Sequence, residues 1–219
     1  QAGHTGELLR SVGLFDEPQK LLVVISPMRR TLQTTLCVFG AATWEQATLV
    51  TPLAAETNLS SRFRAPHAIK RVVSTVQQGD RGSTAAQLRA LFPSAKHPQL
   101  DFTSLEMYCA QQGSRWAAGG AEEGKWWHHG HQSGVESSLV DAEARCTALK
   151  RWLHVEVAAR RGVETVLLVS HGGMLRQTFG TESFANAEFR CFDLLDTGEF
   201  RACPVLPHPL TSGGDSCGF

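Results

Sequence analysis

The sequence predicts an α/β fold, a three-layer α/β/α sandwich around a mostly parallel sheet. Three observations carry this. Leu21-Leu22-Val23-Val24-Ile25 and Thr165-Val166-Leu167-Leu168-Val169 are short apolar, β-branched runs of the kind a strand covered on both faces requires. Each passes directly into a turn, Ser26-Pro27 or Ser170-His171-Gly172-Gly173, and then into a helical pattern. The chain has 219 residues and a 42% apolar fraction, enough for one core without disulfide staples. Two strand–turn–helix units imply parallel strands with covering helices.

Taken in order, Ser26 is a good N-cap and Pro27 suits a first helical position, so the first helix of the pair runs from Pro27 through Cys37 and ends before Gly40. Between Trp44 and Gly134 the character changes to Gly, Ser, Gln and basic residues, with one clear helix from Thr84 to Leu91. A segment of that length between two strand–helix units sits over the carboxyl ends of the strands, so residues 57–135 read as a cap that selects substrate. Gly113 to Gly134 is loose enough to be mobile. The helix before the second strand is the most regular, with Leu139, Val140, Leu149, Trp152, Leu153 and Val157 mostly on one face and Ser138 and Asp141 near its start. The second unit's helix starts at Met174. Residues 186–195 read as a further strand that pairs with 199–205 in a hairpin. The Pro-, Gly- and Ser-rich residues 206–219 read as a disordered tail, which leaves 1–205 as a single domain.

Twenty-one basic residues balance twenty-one acidic ones, so nothing pulls the chain as a whole toward nucleic acid or an anionic membrane. Any anion binding is local. No apolar run approaches the roughly 18 residues of a membrane span, and no charged-then-apolar leader pattern is present. The expectation is a soluble, cytoplasmic protein with neither a nucleic-acid nor a membrane partner. Cysteines 37, 109, 146, 191, 203 and 217 are widely spaced without a Cys-x-x-Cys pair, which predicts free thiols and no thiolate zinc site. His128-His129-Gly130-His131 puts three histidines within four residues, but adjacent ones do not converge on one ion and no carboxylate or thiolate spacing supports them. No metal and no cofactor are assigned.

Chemistry concentrates at the two turns. Arg30 follows Ser26 by four residues, early in a helix that starts at a strand end, so a planar cationic fork and a helix N-terminus share one crevice. An Arg29-Arg30 pair alone reads as a solvated helical face. His171 stands where a parallel strand ends and a glycine-rich turn leads into a helix, the place where open α/β sheets hold ligands. A histidine there is by itself more often structural.

The segments Ser26-Pro27-Met28-Arg29-Arg30-Thr31-Leu32-Gln33-Thr34 and Val169-Ser170-His171-Gly172-Gly173-Met174-Leu175-Arg176 resemble the second and last motifs of the histidine phosphatase (phosphoglycerate mutase-like) superfamily. Leu88-Arg89-Ala90-Leu91-Phe92-Pro93, Leu100-Asp101-Phe102, Trp126-Trp127, Glu136-Ser137 and Asn186-Ala187-Glu188-Phe189-Arg190 extend the resemblance, which favours the phosphatase branch. It implies that Arg30 binds the transferred phosphate, with Arg29 at the surface, and that His171 is the second catalytic histidine, holding the phosphoryl group and stabilising its charge. It also implies a carboxylic acid that protonates the leaving oxygen. Two alignments supply it. Either residues 62–77 are an insertion and Glu56, in Pro52-Leu53-Ala54-Ala55-Glu56, is the acid, or spacing is kept and Val72, which has no proton to give, occupies the position.

The superfamily's first motif, an Arg-His-Gly triplet at the end of a central strand, does not occur in the sequence. It supplies the nucleophile. His4 has no preceding arginine and no strand-like run before it, while Gln1-Ala2 matches the end of a stretch on the family's first helix. A fragment, a natural loss of the motif and a nucleophile supplied by unrelated residues are the three explanations. Loss of a central strand would also leave the chain marginally stable. The expected function is phosphomonoester hydrolysis through a phosphohistidine in the full-length protein, acting on a phosphorylated small molecule or phosphoprotein, with this chain inactive. A phosphoglycerate mutase and a non-catalytic phosphate-binding pseudoenzyme are the alternatives.

Overall fold

Leu21 to Ile25 is buried at every position, and a strand with no face left to water must lie inside a sheet that carries helices on both sides. The computed structural model, which describes residues 1–40, 48–56, 82–116, 134–160, 162–182 and 184–203, has that arrangement. Its elements run α1 (Ala2–Ser11), β1 (Leu21–Ile25), α2 (Arg29–Phe39), β2 (Thr48–Val50), α3 (Ala85–Leu91), β3 (Leu100–Asp101), α4 (Thr103–Trp116), α5 (Gly134–Ala159), β4 (Thr165–Val169), α6 (Gly172–Phe179), β5 (Phe192–Leu194) and β6 (Phe200–Ala202). The first four strands form one parallel sheet in the order β3-β2-β1-β4. β5 and β6 make a separate antiparallel pair.

The pleat of β1 divides the core in two, because alternate side chains leave opposite faces. Leu21, Val23 and Ile25 join Leu9 of α1, Leu32, Val38 and Phe39 of α2, Leu88 of α3 and Leu105 of α4. Leu22 and Val24 join Leu149 and Leu153 of α5 and Met174 of α6. The three expected layers follow, with α1 to α4 on one face and α5 and α6 on the other. Part of 57–135 belongs to this core: Leu88, Phe92, Leu100, Phe102 and Leu105 are buried in it, and β3 extends the sheet. α3 is the Thr84–Leu91 helix, started by a capping box between Thr84 and Gln87. α4 is a second helix hidden by polar composition; the Asp101 carboxylate accepts the Thr103 N–H at 2.8 Å to start it.

Several boundaries differ from those expected. α2 begins at Arg29 instead of Pro27, because the Ser26 hydroxyl faces His171 and accepts the Met28 N–H at 3.3 Å, leaving Met28, in extended conformation, as the N-cap. α6 begins at Gly172 instead of Met174, its first turn closed by the Leu175 N–H on the His171 carbonyl at 2.8 Å. α5 begins at Gly134 instead of Ser138. The strand expected over 186–195 shortens to Phe192–Leu194, because Ala187 adopts φ 58° within a turn in which the Glu188 N–H bonds the Ala185 carbonyl. Its partner is Phe200–Ala202. Val72, Trp126, Trp127, His128 to His131 and the tail 206–219 lie outside the described residues, and of Glu136 and Ser137 only the backbone is described.

The contact between α1 and α2 depends on a glycine. A methyl group on Gly6 would stand 2.1 Å from the Val38 carbonyl oxygen, so the helices approach as closely as they do only because position 6 has no side chain. Arg10 fastens the same contact, donating from Nη2 to the Phe39 carbonyl at 2.6 Å and the Val38 carbonyl at 3.1 Å where α2 ends. Gly6→Ala is therefore expected to cost about 1–3 kcal/mol through overpacking, despite alanine's better helix propensity. Urea denaturation measures this; a Gly6→Ala variant as stable as the parent would refute the close packing.

Candidate functional site

Three segments leave the sheet side by side. Parallel pairing sets Ile25 opposite both Val50 and Val169, so the residues that follow, Ser26, Thr51 and Ser170, emerge together at the carboxyl ends of the strands. Backbone bonds from Ser26 N–H to the Val169 carbonyl and from Thr51 N–H to the Ile25 carbonyl, each 3.0 Å, carry the pairing to the lip of the sheet. Strand order also reverses here. The chain moves outward from β1 through β2 to β3 and returns to β4 on the other flank of β1, and such a reversal opens a crevice where ligands bind.

His171, only 5% exposed, sits in that crevice directly after β4. Its Nε2 is 2.8 Å from the Ser26 hydroxyl, and Arg30 donates from Nε to its Nδ1 at 3.1 Å. A guanidinium can only donate, so Nδ1 must be the unprotonated nitrogen, and the Nε2 proton goes to Ser26. Burial, then the charges of Arg30 and Arg145, hold the His171 pKa down from 6.5 to about 3. The ring is neutral at all but acidic pH.

Glu56 follows the short turn at Pro52–Ala54. Its Oε2 lies 3.5 Å from Arg30 Nη2 and 3.6 Å from His171 Nδ1. The structure thus gathers Arg30, Glu56 and His171, the three site residues expected from sequence. Arg29 is exposed beside them. His4 is exposed on α1, 3.6 Å from Glu7.

Two further residues build the site. Ser26 reads in the sequence as a helix cap, yet it is fully buried and its hydroxyl orients His171. Arg145 of α5 donates from Nη2 to the Glu56 carbonyl at 2.7 Å, and its charge reaches His171. Its signal in the sequence is positional: it lies four residues before Leu149 and seven before Trp152, so it shares the inward face of its helix. Ser170 completes the frame, its hydroxyl donating to the Ala54 carbonyl at 2.6 Å.

Among the described residues the Arg30 and Arg145 guanidiniums and the Glu56 carboxylate meet at the crevice, and α2 and α6 begin beside it with no acidic residue in either first turn. Helix N-termini add partial positive charge of their own. The arrangement suits an anion. Among the described residues no group of His, Cys, Asp or Glu is arranged to hold a metal ion.

The fold and site define an α/β protein with a parallel four-stranded sheet flanked by helices and a crevice at its carboxyl edge that gathers Arg30, Glu56 and His171. No family model matches the sequence, and no curated protein matches it either. Among the described residues no helix is long and apolar enough to cross a membrane.

His171 binds its proton at 6.5 when unfolded and at about 3 when folded. Between those values the unfolded chain holds a proton that the folded chain refuses, so stability falls as pH drops through that window, by at most about 1.4 kcal/mol per pH unit. His171→Gln, which cannot titrate there, should flatten this part of the profile. Urea midpoints from pH 7 to pH 4 test it; parallel profiles for the two proteins would contradict the depressed pKa.

Proposed function

We propose that the chain is the phosphoryl-transfer portion of a histidine phosphatase-like domain, with a phosphoglycerate mutase-like sandwich as its finer fold. The observation that carries the reading is the meeting of Arg30, His171 and Glu56 at one strand-order reversal, with Glu56 26 residues and His171 141 residues beyond Arg30 in the chain. In this reading Arg30 grips the phosphate oxygens, His171 turns its Nε2–H from Ser26 to them and stabilises the charge that develops, and Glu56 delivers a proton to the leaving oxygen. In the full-length protein the reaction is phosphomonoester hydrolysis through a phosphohistidine. The substrate is a phosphorylated small molecule or phosphoprotein.

In this reading the attacking histidine is not among the described residues of the site. Among the described residues the groups bonded to the His171 ring are Ser26 and Arg30, with Glu56 in ion-pair range. The sheet supports a place for another strand. β4 packs side chains into both core clusters, Leu167 and Val169 into one and Val166 and Leu168 into the other, yet it is exposed or half-buried at all five positions where β1 is buried throughout. Among the described residues β1 is the strand that pairs with β4, and covered faces with half-exposed residues point to a lateral edge that a further strand alongside β4 would close. A non-catalytic phosphate-binding role is the second reading, favoured because both His171 nitrogens are already engaged by Ser26 and Arg30.

Two measurements test this together. The chain should bind inorganic phosphate weakly and saturably, and Arg30→Met should weaken binding roughly tenfold or more, the worth of a charge-assisted hydrogen bond. Equal binding by parent and variant would sink the phosphate site. An aryl phosphate should be turned over little or not at all. Hydrolysis at an ordinary enzymatic rate that disappears in His171→Ala would show that the chain already holds its nucleophile.

A further inference from the structure

The β5–β6 hairpin carries a second reactive feature, away from the crevice. Phe192 pairs with Ala202, and one step beyond that register Cys191 stands opposite Cys203. The ladder continues through them, the Cys203 N–H donating to the Cys191 carbonyl at 3.0 Å. Directly opposite residues joined in this way have Cα atoms about 5.5 Å apart, inside the roughly 4.4–6.8 Å span that a disulfide bridges without backbone movement. Residues directly opposite one another on an antiparallel pair send their side chains to the same face. Cys191 is exposed and Cys203 half-buried, and both are free. Cys146 differs, being buried against the Met174 sulfur at 3.6 Å.

We propose that Cys191 and Cys203 form a thiol–disulfide exchange site that takes a small oxidised disulfide of the glutathione class. The thiolate of Cys191 attacks one sulfur of the reagent, breaking its S–S bond, forming a mixed disulfide and releasing one small thiol. The thiolate of Cys203 then attacks the Cys191 sulfur and releases the second small thiol. Two cysteine thiols are oxidised, one reagent disulfide is reduced, and the two protons lost by the cysteines are taken up by the released thiols. Burial and the neighbouring Cys203 push the Cys191 thiol up, so the first attack is the slow one at neutral pH. The second is intramolecular between side chains of directly opposite residues, and is fast.

The link has a structural consequence. Phe192 stacks on Phe179 of α6 with ring centroids 4.4 Å apart, and Phe200 meets the same ring edge-on at 4.8 Å. Closing Cys191 to Cys203 fixes the open end of a hairpin whose two aromatic residues hold α6, the helix headed by His171. The constraint also removes freedom from the unfolded chain, so the oxidised form is the more stable.

Treating the folded chain with excess oxidised glutathione and mapping a non-reduced digest tests the site. The expected product is a peptide pair joined through Cys191 and Cys203, undone by dithiothreitol, with a thermal midpoint a few degrees above that of the reduced chain. Cys203→Ser should instead stop at a glutathione adduct on Cys191. Stable glutathione adducts on both cysteines of the parent, links that favour other cysteines, or a link that forms only in urea would each overturn the proposal. None of these readouts depends on phosphate binding.

Discussion

Parallel pairing of β1 with β4 over five residues is the interaction from which the rest of the crevice follows. A slip of one residue would turn every side chain of β4 to the other face. Leu167 and Val169 would leave one core cluster, Val166 and Leu168 the other, and His171 would no longer stand beside Ser26. Register here is therefore fixed twice, by two hydrophobic layers and by the side-chain bond at the end of the ladder. The buried hydroxyl, imidazole and guanidinium are held by the same packing that makes the core.

Electrostatics then decide the state of the site. An imidazole in water would be partly protonated near neutral pH, but this one is out of water and close to two guanidiniums. It stays neutral, with one nitrogen receiving from Arg30 and the other donating to Ser26. Glu56 lies in ion-pair range of Arg30, and Arg145 holds the Glu56 backbone. Burying such groups costs free energy unless each is bonded. The crevice meets that cost with a connected set of bonds, so loss of one member disturbs the others.

How much of this was legible in the sequence differs by residue. The roles of Arg30 and His171 rest on the resemblance, since an arginine pair on an early helical turn alone reads as a solvated face and a lone histidine as structural. Their places were legible, because a buried strand followed by a turn and a helix fixes where they must stand. The three layers were legible for the same reason. Glu56 follows no such unit and was marked only by resemblance. Arg145 was hidden by the apolar residues of α5, whose periodicity draws attention to Leu149 and Leu153 instead of the one cation on their face. β3 spans two residues and α4 is mostly polar, so neither carries a pattern strong enough to show that they extend the sheet and its cover. Ser26 was read by its local propensity to cap, while a contact across 145 residues claimed its hydroxyl.

The central claim is a neutral His171 protonated on Nε2 and receiving a hydrogen bond at Nδ1. Nitrogen NMR of the chain labelled in histidine measures it directly, since protonated and unprotonated ring nitrogens have distinct shifts. A buried, neutral His171 gives an Nε2–H resonance in slow exchange, an unprotonated Nδ1 and no titration of this ring between pH 8 and about pH 5. A His171 that exchanges freely and titrates near 6.5 would contradict it.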